Sequence, residues 1–107
     1  MTKLEGLYSL LDRTFPNKVA YRAFPENAAP EMPYVIINEQ RTDNFAADNQ
    51  VYNKRIVVDL ELYTKTKSPG TEQTLEDALD QAQIFYNASD LYLDDERCFE
   101  RIYEIEV

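Results

Sequence analysis

An α+β domain is the fold class this 107-residue sequence predicts: an antiparallel or mixed β-sheet of four to five strands with two amphipathic helices on one face. Three observations carry that expectation. Ile56, Val58, Leu60 and Leu62 alternate with Asp59 and Glu61, the period-two pattern of a strand with one dry and one wet face. Two stretches, near residues 3–13 and 69–87, place apolar residues at helical intervals. The strand patterns follow one another in sequence between and after these helices, which favours neighbours paired in one sheet. At this length the chain is expected to form one domain, 1–107.

The elements follow in order. Thr2 and Glu5 stand at capping-box spacing, and Leu4, Leu7, Tyr8 and Leu11 make an apolar stripe over 3–13. Phe15-Pro16 ends that helix, because a residue before proline is driven out of the helical region. A short strand is expected over Val19–Phe24, with Val19, Tyr21 and Ala23 on one face. Residues 25–33 hold three of the five prolines and read as an extended surface loop. Tyr34–Thr42 reads as the second strand and Val51–Thr64 as the third. Between them Asp43–Gln50 reads as the polar tip of a long hairpin.

Ser68-Pro69 supplies an N-cap and a proline at the first helical position. The helix is expected to run to Asn87, burying Leu75, Ala78, Leu79, Ala82, Phe85 and Tyr86 and wetting Glu72, Glu76, Asp77 and Asp80. Leu91–Leu93 reads as a short strand before the acidic turn Asp94-Asp95-Glu96. In Cys98–Val107, Phe99, Tyr103, Ile105 and Val107 alternate with Glu100, Glu104 and Glu106, and Arg101 breaks the apolar side. The wet face is expected to carry Asp59 and Glu61 beside the glutamates of this last strand.

Twenty carboxylates against eleven cations give a formal charge of −9, which opposes neutralising nucleic-acid phosphates but allows a wall past which DNA slides. The lone Cys98 forms no intramolecular disulfide, the N-terminus has no apolar signal-peptide run, and no stretch is apolar enough for a membrane span. Synthesis in a cytoplasm is the expectation, with no membrane partner. There is no histidine, and no Walker motif, dinucleotide fingerprint, CxxC pair or EF-hand loop occurs. Asp94-Asp95-Glu96 is the densest carboxylate cluster, and adjacent turn carboxylates diverge into solvent. The chain is therefore expected to be no enzyme, with no catalytic, metal or cofactor residues. Phe45, an apolar ring in a polar tip without an obvious core neighbour, is a candidate partner contact.

Leu60-Glu-Leu-Tyr-Thr-Lys-Thr-Lys-Ser-Pro69, Ala82-Gln-Ile-Phe-Tyr86 and Ile102-Tyr-Glu-Ile-Glu-Val107 resemble a family of small prophage proteins, the tail-completion or head–tail joining proteins of siphophages from Gram-positive bacteria. Asp43-Asn-Phe-Ala-Ala-Asp48, ahead of a tyrosine-containing strand, is similar too. The resemblance runs from about Tyr34 to the C-terminus. It implies a structural virion component with no cofactor, a tail terminator. Such proteins form a homo-oligomeric ring, typically a hexamer, that caps the tail tube, meets the major tail protein and head connector proteins, and lets DNA through its lumen. In such rings hairpins often reach neighbouring rings, which implies a contact role for Asp43–Tyr52 and makes Asp43, Asn44, Phe45, Asp48, Asn49 and Tyr52 the candidate assembly contact. A head-side stopper or adaptor, and a small acidic prophage module that modulates a host protein, stay open as alternatives.

Overall fold

The computed structural model describes residues 2–47 and 50–107, with the side chains of 43–54 excepted. Among these residues two helices, α1 (Lys3–Thr14) and α2 (Pro69–Gln81), accompany five strands. The strands are β1 (Val19–Tyr21), β2 (Tyr34–Ala47), β3 (Gln50–Thr64), β4 (Tyr86–Leu93) and β5 (Cys98–Glu106), ordered β1-β2-β3-β5-β4 in one sheet. β1 runs parallel to β2 and every other pair is antiparallel, so the sheet is mixed.

The local signals act as their chemistry requires. In α1 the Thr2 hydroxyl accepts from the Glu5 amide at 3.1 Å, and the Glu5 carboxylate accepts from the Thr2 amide at 2.8 Å. Two donors that the first turn leaves open are thus satisfied, and the bond from the Thr2 amide lowers the pKa of the Glu5 carboxyl. Ser68 caps α2 and Pro69 enters it, as expected. Leu7 and Leu11 of α1 and Leu75 and Leu79 of α2 are buried together with Ile56, Val58, Leu60, Leu62, Tyr103 and Ile105. Both helices therefore cover one sheet face, and that face is the strand pattern first read from residues 56–62.

Four expected boundaries move. The first strand stops at Tyr21, because Arg22 takes φ 65° and turns the chain away. Ala23 therefore does not extend its face. The second helix stops at Gln81 instead of Asn87. There the Ile84 amide donates to the Leu79 carbonyl at 2.9 Å and the Gln83 amide to Asp80 at 3.0 Å, with Gln83 at φ 59°. This is a Schellman stop, which usually has glycine at that left-handed position. Phe85 and Tyr86 consequently leave the helix. Phe85 is 81% exposed, Ala82 is exposed, and Tyr86 opens β4 opposite Ile105. The short strand expected at Leu91–Leu93 is accordingly eight residues long.

The fourth boundary is the hairpin tip. Residues 43–47 and Gln50 belong to the ladder, which pairs Thr42 with Ile56 and continues to Ala47 with Gln50. Pairing extends through this tip because ladder bonds need only backbone groups. β5 ends opposite Val57, and reciprocal 2.9 Å bonds between Ile56 and Val107 close that side. Beyond this line β2 and β3 continue alone as an arm, roughly 20 Å of paired strand at the usual rise per residue. A bulge at Gln40, between the Glu39–Val58 and Arg41–Val57 pairs, lies close to its root. The molecule measures 51 × 29 × 26 Å, elongated as the arm requires.

Candidate assembly surfaces

Three features outside the apolar core have shape or charge enough to act on a partner: the arm, the open sheet face and the β4 edge. The described candidate contact residues map along the arm, from next to its root outward. Asp43, Asn44 and Phe45 are on β2, paired with Arg55, Lys54 and Asn53, and Tyr52 is on β3. Asp48 and Asn49 lie outside the described residues, and so do the side chains of the other four. A notch of about 650 Å³ sits at the end of the sheet from which the arm emerges, between the Gln83–Phe85 turn and residues 104–107.

The open face carries a line of carboxylates. Asp59 is directly opposite Glu104, and Tyr63 is opposite both Glu100 on β5 and Tyr34 on β2. The Tyr63 hydroxyl is 2.9 Å from Glu61 Oε1 and 2.9 Å from Glu100 Oε2. One hydroxyl has one proton, so it donates to one carboxylate and accepts from the other only if that group is protonated. Glu100, 8% exposed, is the group held protonated most readily. Burial raises its pKa, the charges of Glu61, Glu96 and Asp59 add to the rise, and the Tyr63 hydrogen bond opposes it. Asp59 is raised as well, first by burial and then by Glu104 and Glu61. Burial and the two carboxylate bonds also push the Tyr63 phenol upward.

The stability consequence has a definite sign. A carboxyl raised in the fold above its usual 4.5 stabilises fully below that value, and this contribution is lost as pH rises through the folded pKa. Glu100→Gln supplies an amide donor to Tyr63 at every pH. We expect it to stabilise the fold by about 1 kcal/mol at neutral pH and to flatten the decline above the acid range. Thermal melts of both proteins across pH 4 to 8 check this, and a loss of stability in the variant would show that the ionised carboxylate is the native form.

Beneath α2 lies a second polar cluster. Arg101, which broke the apolar alternation, donates from Nη1 to Asp90 at 2.8 Å and from Nε to the Tyr103 hydroxyl at 2.9 Å. Tyr103 in turn donates to Glu76 at 2.7 Å, and Lys67 reaches Glu72 at 2.8 Å and Asp90 at 3.1 Å. Glu72 and Glu76 were expected on the wet side. They instead point inward, Glu72 buried and Glu76 half-buried, because Arg101 and Lys67 provide countercharges there. Every member is committed to a neighbour in the fold, so this cluster is a brace between α2, β4 and β5. Composition had shown an unmatched arginine, and its partners one helix away had no linear signal.

The Asp94-Asp95-Glu96 turn is exposed, as solvated carboxylates should be. Cys98 is buried, and burial followed by the Glu96 charge raises its thiol pKa. Among the described residues no group of acidic or thiol ligands is placed to hold a metal ion, and no helix is long and apolar enough to cross a membrane. No protein-family model matches the chain, and no curated protein sequence matches it either.

Proposed function

We propose that this protein is a ring-forming virion assembly component, a tail terminator that completes a phage tail tube and joins it to the head connector. The observation that carries the reading is the arm. A two-stranded hairpin is marginal in water by itself, and a chain that extends one well past its core has a use for it in a neighbour. The resemblance to siphophage tail-completion proteins supports the same reading, and the segments that carry it supply Leu60, Leu62, Tyr103 and Ile105 of the core. The acidic charge agrees with a lumen that DNA passes without sticking. On this reading the partners are further copies of the chain, the major tail protein and connector proteins, and the place of action is the head–tail interface of the virion.

Electron microscopy of particles made without the gene tests the proposal. Unjoined heads and overlong tails are expected, and normal virions would overturn it. At residue level, Phe45→Ser should leave the thermal unfolding of the isolated chain nearly unchanged and impair assembly. A large loss of stability would place Phe45 in a folded core instead.

A further inference from the structure

Natural sheets protect their outer strands with lysine, proline, bulges or a covering segment. β4 has none of these. Its eight residues contain no lysine or proline, and its register with β5 runs unbroken from Tyr86–Ile105 to Leu93–Cys98. Its far edge pairs with nothing among the described residues. Its one charge, Asp90, is already held by Arg101 and Lys67. Leu91 and Tyr92 are about half exposed, one on each face. Such an edge is a template for another strand.

The arm has the complementary need. β1 pairs with β2 only over Val35–Ile37, so among the described residues no strand pairs with the outer side of β2 farther along. The sequence of 41–55 counts three cations, Arg41, Lys54 and Arg55, and two carboxylates, Asp43 and Asp48, a nearly balanced stretch in a chain of net charge −9. An arm can approach another copy's body without the repulsion that two acidic bodies would meet. We infer that the β2 edge of one copy's arm pairs with the β4 edge of a second copy, extending the sheet from subunit to subunit. The inference rests on the self-assembling reading above and assigns its contact. Donor and acceptor are different surfaces, so the contact is head-to-tail and repeats from copy to copy, closing into a ring when the rotation between copies divides a full turn.

The test mixes two variants of the full chain, each with Cys98→Ala and one added cysteine, Thr42→Cys at the arm's root or Ser89→Cys on β4, with a short flexible thiol-reactive cross-linker. A covalent dimer is expected in the mixture and in neither variant alone. In parallel, Ser89→Lys with Leu91→Lys should shift the wild-type oligomer to monomer mass in sedimentation while the thermal transition of the dilute chain stays in place. Replacing residues 44–54 with Asn-Gly, a two-residue hairpin turn, should give the same shift. Cross-linking of Ser89→Cys to itself would overturn the inference in favour of β4-to-β4 pairing. An oligomer that forms no arm-to-β4 link, or a wild-type chain that stays monomeric at high concentration, would overturn it too. Normal virions without the gene, together with a positive cross-link, would remove the tail role and leave the strand pairing standing.

Discussion

Arg101→Ala should cost the fold about 3 kcal/mol, read by urea denaturation at neutral pH. The guanidinium is the one cation that contacts Asp90, Glu72 and Glu76 together, and it donates to Tyr103 besides. Its removal leaves Glu72, a side chain only 10% exposed, to Lys67, and leaves Glu76 to the hydroxyls of Tyr103 and Tyr86. The expected loss sits at the low end for a broken buried pair because Lys67 remains and the Arg101 side chain keeps 22% exposure. Burial works against the charge of Arg101, but the bonds to Asp90 and Tyr103 outweigh it and raise its pKa. Asp90 is lowered, first by Arg101 and then by Lys67. It therefore stabilises above its unfolded value and loses that contribution as pH falls, a dependence that should shrink in the variant. Arg101→Lys keeps the charge and loses the fork, so it should fall between the two. A variant within about 0.5 kcal/mol of the wild type would show that solvent already serves these carboxylates.

Leu60→Ala should cost about 3 kcal/mol as well, for a wholly different reason. Leu60 is fully buried at the middle of β3, between Ile37 on β2 and Tyr103 on β5, with both helices above it. Truncation opens a cavity that the rigid central strands do not close. Asp59, one residue earlier, points to the other face against Glu104. Asp59→Asn removes a like-charge opposition and should leave stability unchanged or raise it. Denaturation of the two neighbours side by side reads the strand's alternation directly. Equal losses at 59 and 60 would contradict the face assignment.

Much of this architecture was legible because its determinants are local. The Thr2–Glu5 box, the Ser68-Pro69 entry, the α1 stripe and the alternation of 56–62 each lie within a few residues, and each set its element. The wet face was legible too, since strand parity puts Asp59 and Glu61 beside the last strand's glutamates. What escaped depended on contacts distant in sequence. The end of α2 rests on Gln83 adopting a conformation that glycine usually takes, so the helical pattern appeared to continue through Phe85 and Tyr86. Glu72 turns inward to Lys67 and Arg101, and Glu76 to Arg101, which stands 25 or more residues along the chain from both. The hairpin was legible, but the tip expected over Asp43–Gln50 is largely ladder, because polar residues conceal pairing that does not need apolar ones. Of the candidate contact, the place of Asp43, Asn44, Phe45 and Tyr52 on paired strands was legible from the hairpin pattern of the segments around them.

The unpaired residue at Gln40 gives the arm a property of its own. Val35 and Ile37 put odd positions on the helix-covered face, whereas Thr42, opposite Ile56, puts an even one there. The extra residue absorbs the difference and adds bend and twist to the strand. Deleting Gln40 would keep every β2–β3 pair and straighten the joint, and inserting a pair of residues farther out would lengthen the arm and leave its direction alone. Reach and aim are thus independent settings, each adjustable without touching Leu60 or its neighbours. Under the assembly proposed above, editing a few codons would refit the chain to a neighbour of different diameter, while the body it folds around stays the same.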